Sequence, residues 1–220
     1  MNRPIKTFAI NLEERTERKQ HILEQFKAKQ GFDLQIVKAI KNEIGAIGLW
    51  KTIHEVVSRA QTAGDPYVLI CEDDHQFTES FDYAQLVQSI MDAQLVGADL
   101  LLGGLSHFED AIPLSNGMFW IGSFTGFQFV IVFEKFYPLI CALDLMAHEN
   151  IDIKMKEIST NIFCMYPFIS VQKEFGYSDV TERNDKKGVV RQYFEDADKR
   201  MSLLLQLRAH FNKQLRSIGA

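Results

Sequence analysis

Two hydrophobic periods alternate along the first hundred residues. Thr7–Leu12 is a short apolar run of the kind a buried strand shows, and Ile22, Leu23 and Phe26 recur at helical spacing until Gly31. Leu34–Ile40 alternates apolar and polar residues like a half-buried strand. From Gly45 to Ala63 the residues Leu49, Ile53, Val56, Val57 and Ala60 form one helical stripe, closed by Gly64-Asp65-Pro66. Tyr67–Cys71 is continuously apolar, as a strand covered on both faces is. Ser80 and Asp82 can cap a helix to about Gln94, and Ala98–Leu102 is another buried strand.

Strands alternating with helices predict an α/β fold built on parallel pairs. The second half is more mixed. Met118–Phe124 and Phe127–Phe133 read as strands, with Gly122–Phe127 at their junction as a hairpin turn or a small-residue wall of a pocket. A helix is predicted over Pro138–His148, a shorter one over Ile151–Ile158, strand-like sequence over Asn161–Val171, and a polar stretch over Ser178–Gly188. Residues 1–188 form the predicted domain, and 189–220 a C-terminal amphipathic helical tail.

Composition narrows the function. A chain of 220 residues, 46% hydrophobic and 24% charged, can bury a core without disulfides. The net charge of -5 argues against nucleic acid as a partner. Cys71, Cys141 and Cys164 are scattered in apolar runs, which fits a reducing compartment and three buried thiols. With no secretory or membrane-spanning pattern visible, the expected location is the cytoplasm, with contact to the inner face of a membrane open.

The chemistry concentrates at Glu72-Asp73-Asp74, directly after the most convincing central strand. Ligands of open α/β sheets bind beyond the carboxyl ends of their strands. Three adjacent acids repel one another, and a hard divalent cation, Mn²⁺ or Mg²⁺, relieves that repulsion while bridging a diphosphate. If the segment stays extended, Glu72 and Asp74 share one side and Asp73 faces the other. Two readings stand open: a metal and ribose site, or a solvated acidic loop.

The order of short motifs adds to this. Ala9-Ile10-Asn11-Leu12-Glu13-Glu14-Arg15-Thr16-Glu17-Arg18, Gly45–His54, Ile70–Asp74 and Pro167–Gln172 with Ser178-Asp179 follow one another. In that order they resemble the signature of the family 25 glycosyltransferases, which include bacterial lipooligosaccharide and collagen galactosyltransferases. The resemblance spans roughly Lys6–Asp179. Leu49 and Ile53 stand where the family has Cys and Ser, one extra residue precedes His54, and His107–Phe124 is shorter than the family's acceptor region, departures that together point to a divergent member with a different acceptor.

The resemblance implies a GT-A-like α/β/α sandwich with a mixed, mainly parallel central sheet. It also implies a UDP-sugar donor such as UDP-galactose, a saccharide acceptor, free or lipid-linked, and inversion at the anomeric carbon. In such an enzyme Glu72 and Asp74 hold the metal, with His148 a further ligand, while Asp73, Asn11 and Arg15 meet the donor. Asp152 is the implied general base, with Glu149 next; helix capping is the ordinary alternative for both acids. His75 and His54 have structural alternatives of the same kind.

A nucleotidyltransferase would use the same strand-end acids, but it ordinarily carries a glycine-rich loop after the first strand, and here no glycine precedes Gly31. A non-catalytic carbohydrate or protein-interaction module on a degenerate transferase fold is the third reading. From Lys199 onward the tail has five basic residues and no acid. That helix can lie on an anionic membrane, pack on the domain, or join two copies in a homodimer.

Overall fold

The computed structural model describes residues 4–114, 117–146, 151–176 and 188–218. Its framework is a sheet of eight strands between two layers of helices. Three parallel strands open it: β1 (Ile5–Asn11), then β2 (Phe32–Lys38) after helix α1 (Thr16–Lys27), then β3 (Tyr67–Glu72) after α2 (Gly45–Ala63). The chain continues through β4 (His75–Phe77), α3 (Tyr83–Leu95) and β5 (Leu100–Leu102). Then come the short strands β6 (His107–Phe108), β7 (Ala111–Pro113), β8 (Met118–Ile121) and β9 (Phe124–Thr125), followed by β10 (Phe129–Phe133). Helices α4 (Tyr137–Cys141) and α5 (Ile151–Ile158), strands β11 (Ile162–Met165) and β12 (Ser170–Gln172), and the long α6 (Val189–Ile218) complete it.

The sheet order is β2-β1-β3-β10-β5-β11-β8-β7, with β6–β9 and β4–β12 paired outside it. Antiparallel pairing on both sides of β10 and of β8 turns only those two strands against the common direction. The sheet is therefore mixed and mainly parallel. Every central strand is buried on both faces, which is why its sequence is a continuous apolar run. Val68 and Ile70 go to one core and Leu69 and Cys71 to the other; Val130 and Val132 are likewise separated from Phe129 and Ile131. The first core takes Ile53 and Val57 of α2, Tyr137 of α4 and Phe194 and Met201 of α6, and the second takes Ile22 of α1 with Leu86 and Ile90 of α3. This is an α/β/α sandwich.

Several expected elements differ in extent. Asp82 caps α3 as its carboxylate accepts from the Gln85 amide at 2.8 Å. The helix expected over Pro138–His148 stops at Cys141, and residues 142–146 are coil. The run Asn161–Val171 divides into β11 and β12 at a cis Tyr166–Pro167 bond. Gly122–Gly126 is not a hairpin turn: β5 and β11 lie between β8 and β10 in the sheet, and β9 instead pairs with β6.

The tail does not stand apart, since Val190, Phe194, Ala197 and Met201 of α6 are buried in the main core. All three cysteines are free, with Cys71 and Cys164 buried and Cys141 half-buried. Among the described residues, no helix is long and apolar enough to cross a membrane.

Candidate active site

The site begins with a strand that ends and turns. Glu72 keeps its strand bond, its amide donating to the Gln128 carbonyl at 3.1 Å, after which Asp73 and Asp74 form a turn into β4. The turn changes the orientation expected of an extended triplet. Asp73 and Asp74 do not point apart; both converge on one guanidinium. Arg18 Nη1 donates to Asp73 Oδ1 at 3.2 Å and to Asp74 Oδ2 at 3.3 Å, and Arg18 itself is only 5% exposed. Asn11 Nδ2 donates to Asp73 Oδ2 at 2.8 Å and to the Arg15 carbonyl at 3.2 Å, tying the end of β1 to the start of α1.

Asp73 and Asn11, both expected at the donor, are almost wholly buried, with Asp73 at the wall of the cleft and Asn11 behind it. Arg15, at the helix start, lines the open cleft above. Arg18, present in the sequence only as part of the first-strand motif, is the cation that organises the turn. The signal that could have singled it out is its place in the first turn of α1, one turn before the buried Ile22, where a cation needs a buried partner.

Gly126 forms the opposite wall. Its φ is +118°, and a Cβ there would lie 2.9 Å from Gln128 Oε1 and 3.3 Å from the Leu105 Cα, so a side chain has neither the conformation nor the room. Its amide donates to Asp152 Oδ2 at 3.2 Å, fixing the acid in the first turn of α5. Thr125, Gly126 and Phe127 line the cleft, so this small-residue segment is a pocket wall. Gly104 makes a second close approach: a Cβ there would fall 2.1 Å from the Ser170 carbonyl oxygen. That contact sets β12 against β4, and the chain after β12 brings Lys173 to the cleft, its amide donating to the Asp74 carbonyl at 2.8 Å.

These walls enclose a cleft of about 1130 Å³, above the roughly 300–1,000 Å³ usual for small-molecule sites. The β2–α2 connection from Ala39 to Glu43, Phe175, and Tyr193 of α6 also line it. None of the last three features was singled out in the sequence, because each comes from a distant segment.

The acids feel one another strongly. Burial, then Asp74, Asp152 and Asp73, push the Glu72 carboxyl well above the usual carboxylate range. Burial and Asp73 raise Asp74 to about 7 against the opposing pull of Arg18 and Arg15, and burial raises Asp152 to about 6. Asp74 Oδ1 is buried without a hydrogen-bond partner. Such a cluster gains from a divalent cation. Among the described residues no group of three or more His, Cys, Asp and Glu side chains is arranged to enclose one. Glu72 and Asp74 fit the more open arrangement, in which one or two carboxylates hold Mg²⁺ or Mn²⁺ and substrate phosphates complete the shell. His148 and Glu149 lie outside the described residues.

The other histidines are accounted for by packing. His75 is fully buried, with Nδ1 hydrogen-bonded to Ser170 Oγ at 2.8 Å and its ring beside Phe77 and Phe129. Burial drives its pKa down to about 3, so it is neutral. His54 Nε2 donates to the Cys141 carbonyl at 3.0 Å, joining α2 to α4.

No protein-family model matches the chain, and no curated protein sequence matches it. Solved structures do resemble it in shape. A197 from STIV superposes at a TM-score of 0.49 and 10% identity, over 80% of this chain and 87% of that one. Apo UDP-glucose pyrophosphorylase superposes at 0.47 and 9% identity, over 87% and 82%. The UDP-glucose complex of UDP-glucose pyrophosphorylase does so at 0.46 and 11%, over 87% and 81%.

Proposed function

We propose that this chain is an inverting hexosyltransferase of the family 25 kind, moving a sugar, with galactose the first candidate, from a UDP-sugar to a saccharide acceptor of the cell surface. The observation that carries the reading is one cleft with an acidic turn and cations on one wall and a fixed, elevated carboxylate, Asp152, on the other. Arg15 and Lys173 face the space a diphosphate would fill, and guanidinium pairs with phosphate in bidentate fashion. When bound between Glu72 and Asp74, a divalent cation supplies Lewis-acid stabilisation of the leaving diphosphate.

The rest is done by the chain itself. Asp152, as carboxylate, takes the proton of the acceptor hydroxyl while that oxygen bonds to the anomeric carbon and the bond to the diphosphate breaks. An acid raised to about 6 is largely ionised at neutral pH yet basic enough to accept that proton. The Gly126 amide keeps its oxygen aimed at the cleft. Asp73 touches no substrate in this scheme; with Asn11 and Arg18 it holds the turn that presents Asp74.

The deciding experiment is a panel of UDP-, GDP- and CMP-sugars, with thermal unfolding and donor hydrolysis as readouts and Mn²⁺ or Mg²⁺ present or omitted. One uridine donor should raise the melting temperature and be hydrolysed slowly, with the metal required for both. If no nucleotide sugar shifts unfolding in the presence of Mn²⁺, the transferase reading fails and the binding-module reading replaces it. Release of pyrophosphate from UTP and a sugar phosphate would instead make it a nucleotidyltransferase.

A further inference from the structure

We propose that the outer half of α6 seats this protein on an anionic lipid surface. The helix has two apolar faces with different fates. Val190, Phe194, Ala197 and Met201 face the domain and are buried. Leu203, Leu207, Phe211 and Leu215 repeat every fourth residue and are 54%, 43%, 57% and 66% exposed. From Ala209 to Leu215 every side chain is exposed, so the last turns project past the body of the domain.

The charge around this stripe decides what covers it. The segment from Lys199 onward carries five basic residues and no acid, and the acidic excess of the chain lies wholly outside it; Arg200 and Arg208 brace the helix on the Phe108 and Pro113 carbonyls, Lys199 pairs with Asp196, and Lys213 is exposed. A second copy would bring one cationic rim against another and gain nothing from the flanks. Anionic headgroups meet both requirements, accepting the apolar stripe at the acyl boundary and pairing with the cations. They also repel the acidic remainder, which leaves one orientation. Tyr193, on the wall of the cleft, lies eighteen residues before Phe211, about five full turns and therefore on the same side of the helix.

The docking does not depend on the reaction catalysed. Its test is co-sedimentation of the full chain with vesicles of phosphatidylcholine alone, or with a third of phosphatidylglycerol. Binding should be at least tenfold greater to the anionic vesicles and fall steeply from 50 to 500 mM NaCl. The double variant Leu207→Glu/Phe211→Glu should lose at least tenfold in binding with an unchanged melting temperature, since both side chains are exposed. Absent binding, equal binding to neutral vesicles, or undiminished binding by the variant overturns the proposal. So does a wild-type dimer in solution that the variant converts to monomer, because a second copy then owns the stripe.

Discussion

The amide of Gly126 and Oδ2 of Asp152 are joined at 3.2 Å across 26 residues of chain, and this bond couples the backbone of one wall of the cleft to its most suitable base. Asp152→Asn should keep the geometry and lose the chemistry. Donor-induced stabilisation should persist while transfer to acceptor falls by about 10²–10⁴-fold, the usual contribution of a positioned base. In the wild type the rate should rise with pH through about 6 and then level, because only the ionised carboxyl accepts a proton. Wild-type turnover by the variant removes Asp152 from the mechanism.

Gly126→Ala tests the same wall through its backbone. A Cβ there meets Gln128 Oε1 at 2.9 Å with φ at +118°, and enforcing such a conformation on a side chain costs about 1–3 kcal/mol. Urea unfolding should show a loss of that size, with transfer reduced further because the Asp152 carboxylate is no longer held.

Arg18→Ala leaves two buried carboxylates without their shared cation. Removing one partner of a buried ion pair costs about 3–5 kcal/mol. The variant should be that much less stable at pH 7.5 and recover part of the deficit at pH 5, below the raised range of Asp74, where that carboxyl is protonated. An Arg18→Lys chain should recover only part, since a lysine keeps the charge but lacks the planar guanidinium and its additional N–H donors. A melting temperature in Arg18→Ala equal to wild type at pH 7.5 would refute the role.

Asp74 gives a pH signature of its own. Its folded pKa is raised to about 7 from an ordinary 3.8, so between those values the folded state holds a proton that the unfolded chain has released. Stability from this group is full below about pH 4 and declines as pH climbs through 7. Glu72 and Asp152, raised by burial in the same cleft, act in the same direction. Asp74→Asn should flatten this decline and weaken Mn²⁺-dependent donor binding at least tenfold. A donor-binding isotherm unchanged in Asp74→Asn would move the metal elsewhere.

What the sequence made legible follows from what its patterns encode. Tyr67–Cys71 could be read as a central strand because burial on both faces leaves no polar position, and the acids at its end then had to lie at a strand mouth. Helix α2 was equally readable from its stripe, whereas the two helical layers were implied only by the resemblance. The turn at Asp73 was not: an extended triplet and a tight turn have the same residues, and only the reach of Arg18 from α1 draws both aspartates to one side. Gly122–Gly126 failed as a hairpin for a related reason. Turn chemistry reports local backbone freedom, whereas the partners of β8 and β10 are chosen by the sheet, which inserts β5 and β11 between them. Asp152 could be named by resemblance, but its tie to Gly126 is a contact between distant segments, which no periodicity records.

Glu174 takes the amides of Gly188, Val190 and Arg191 on its carboxylate, so the first turn of α6 is anchored beside the cleft it helps to wall. Every strand of the sheet precedes that helix in the chain. During vectorial synthesis the sheet is therefore complete on the ribosome before the wall bearing Tyr193 exists. The acidic turn is thus made before the helix that walls it, and a chain truncated after β12 would keep its acids in place but lack the wall bearing Tyr193.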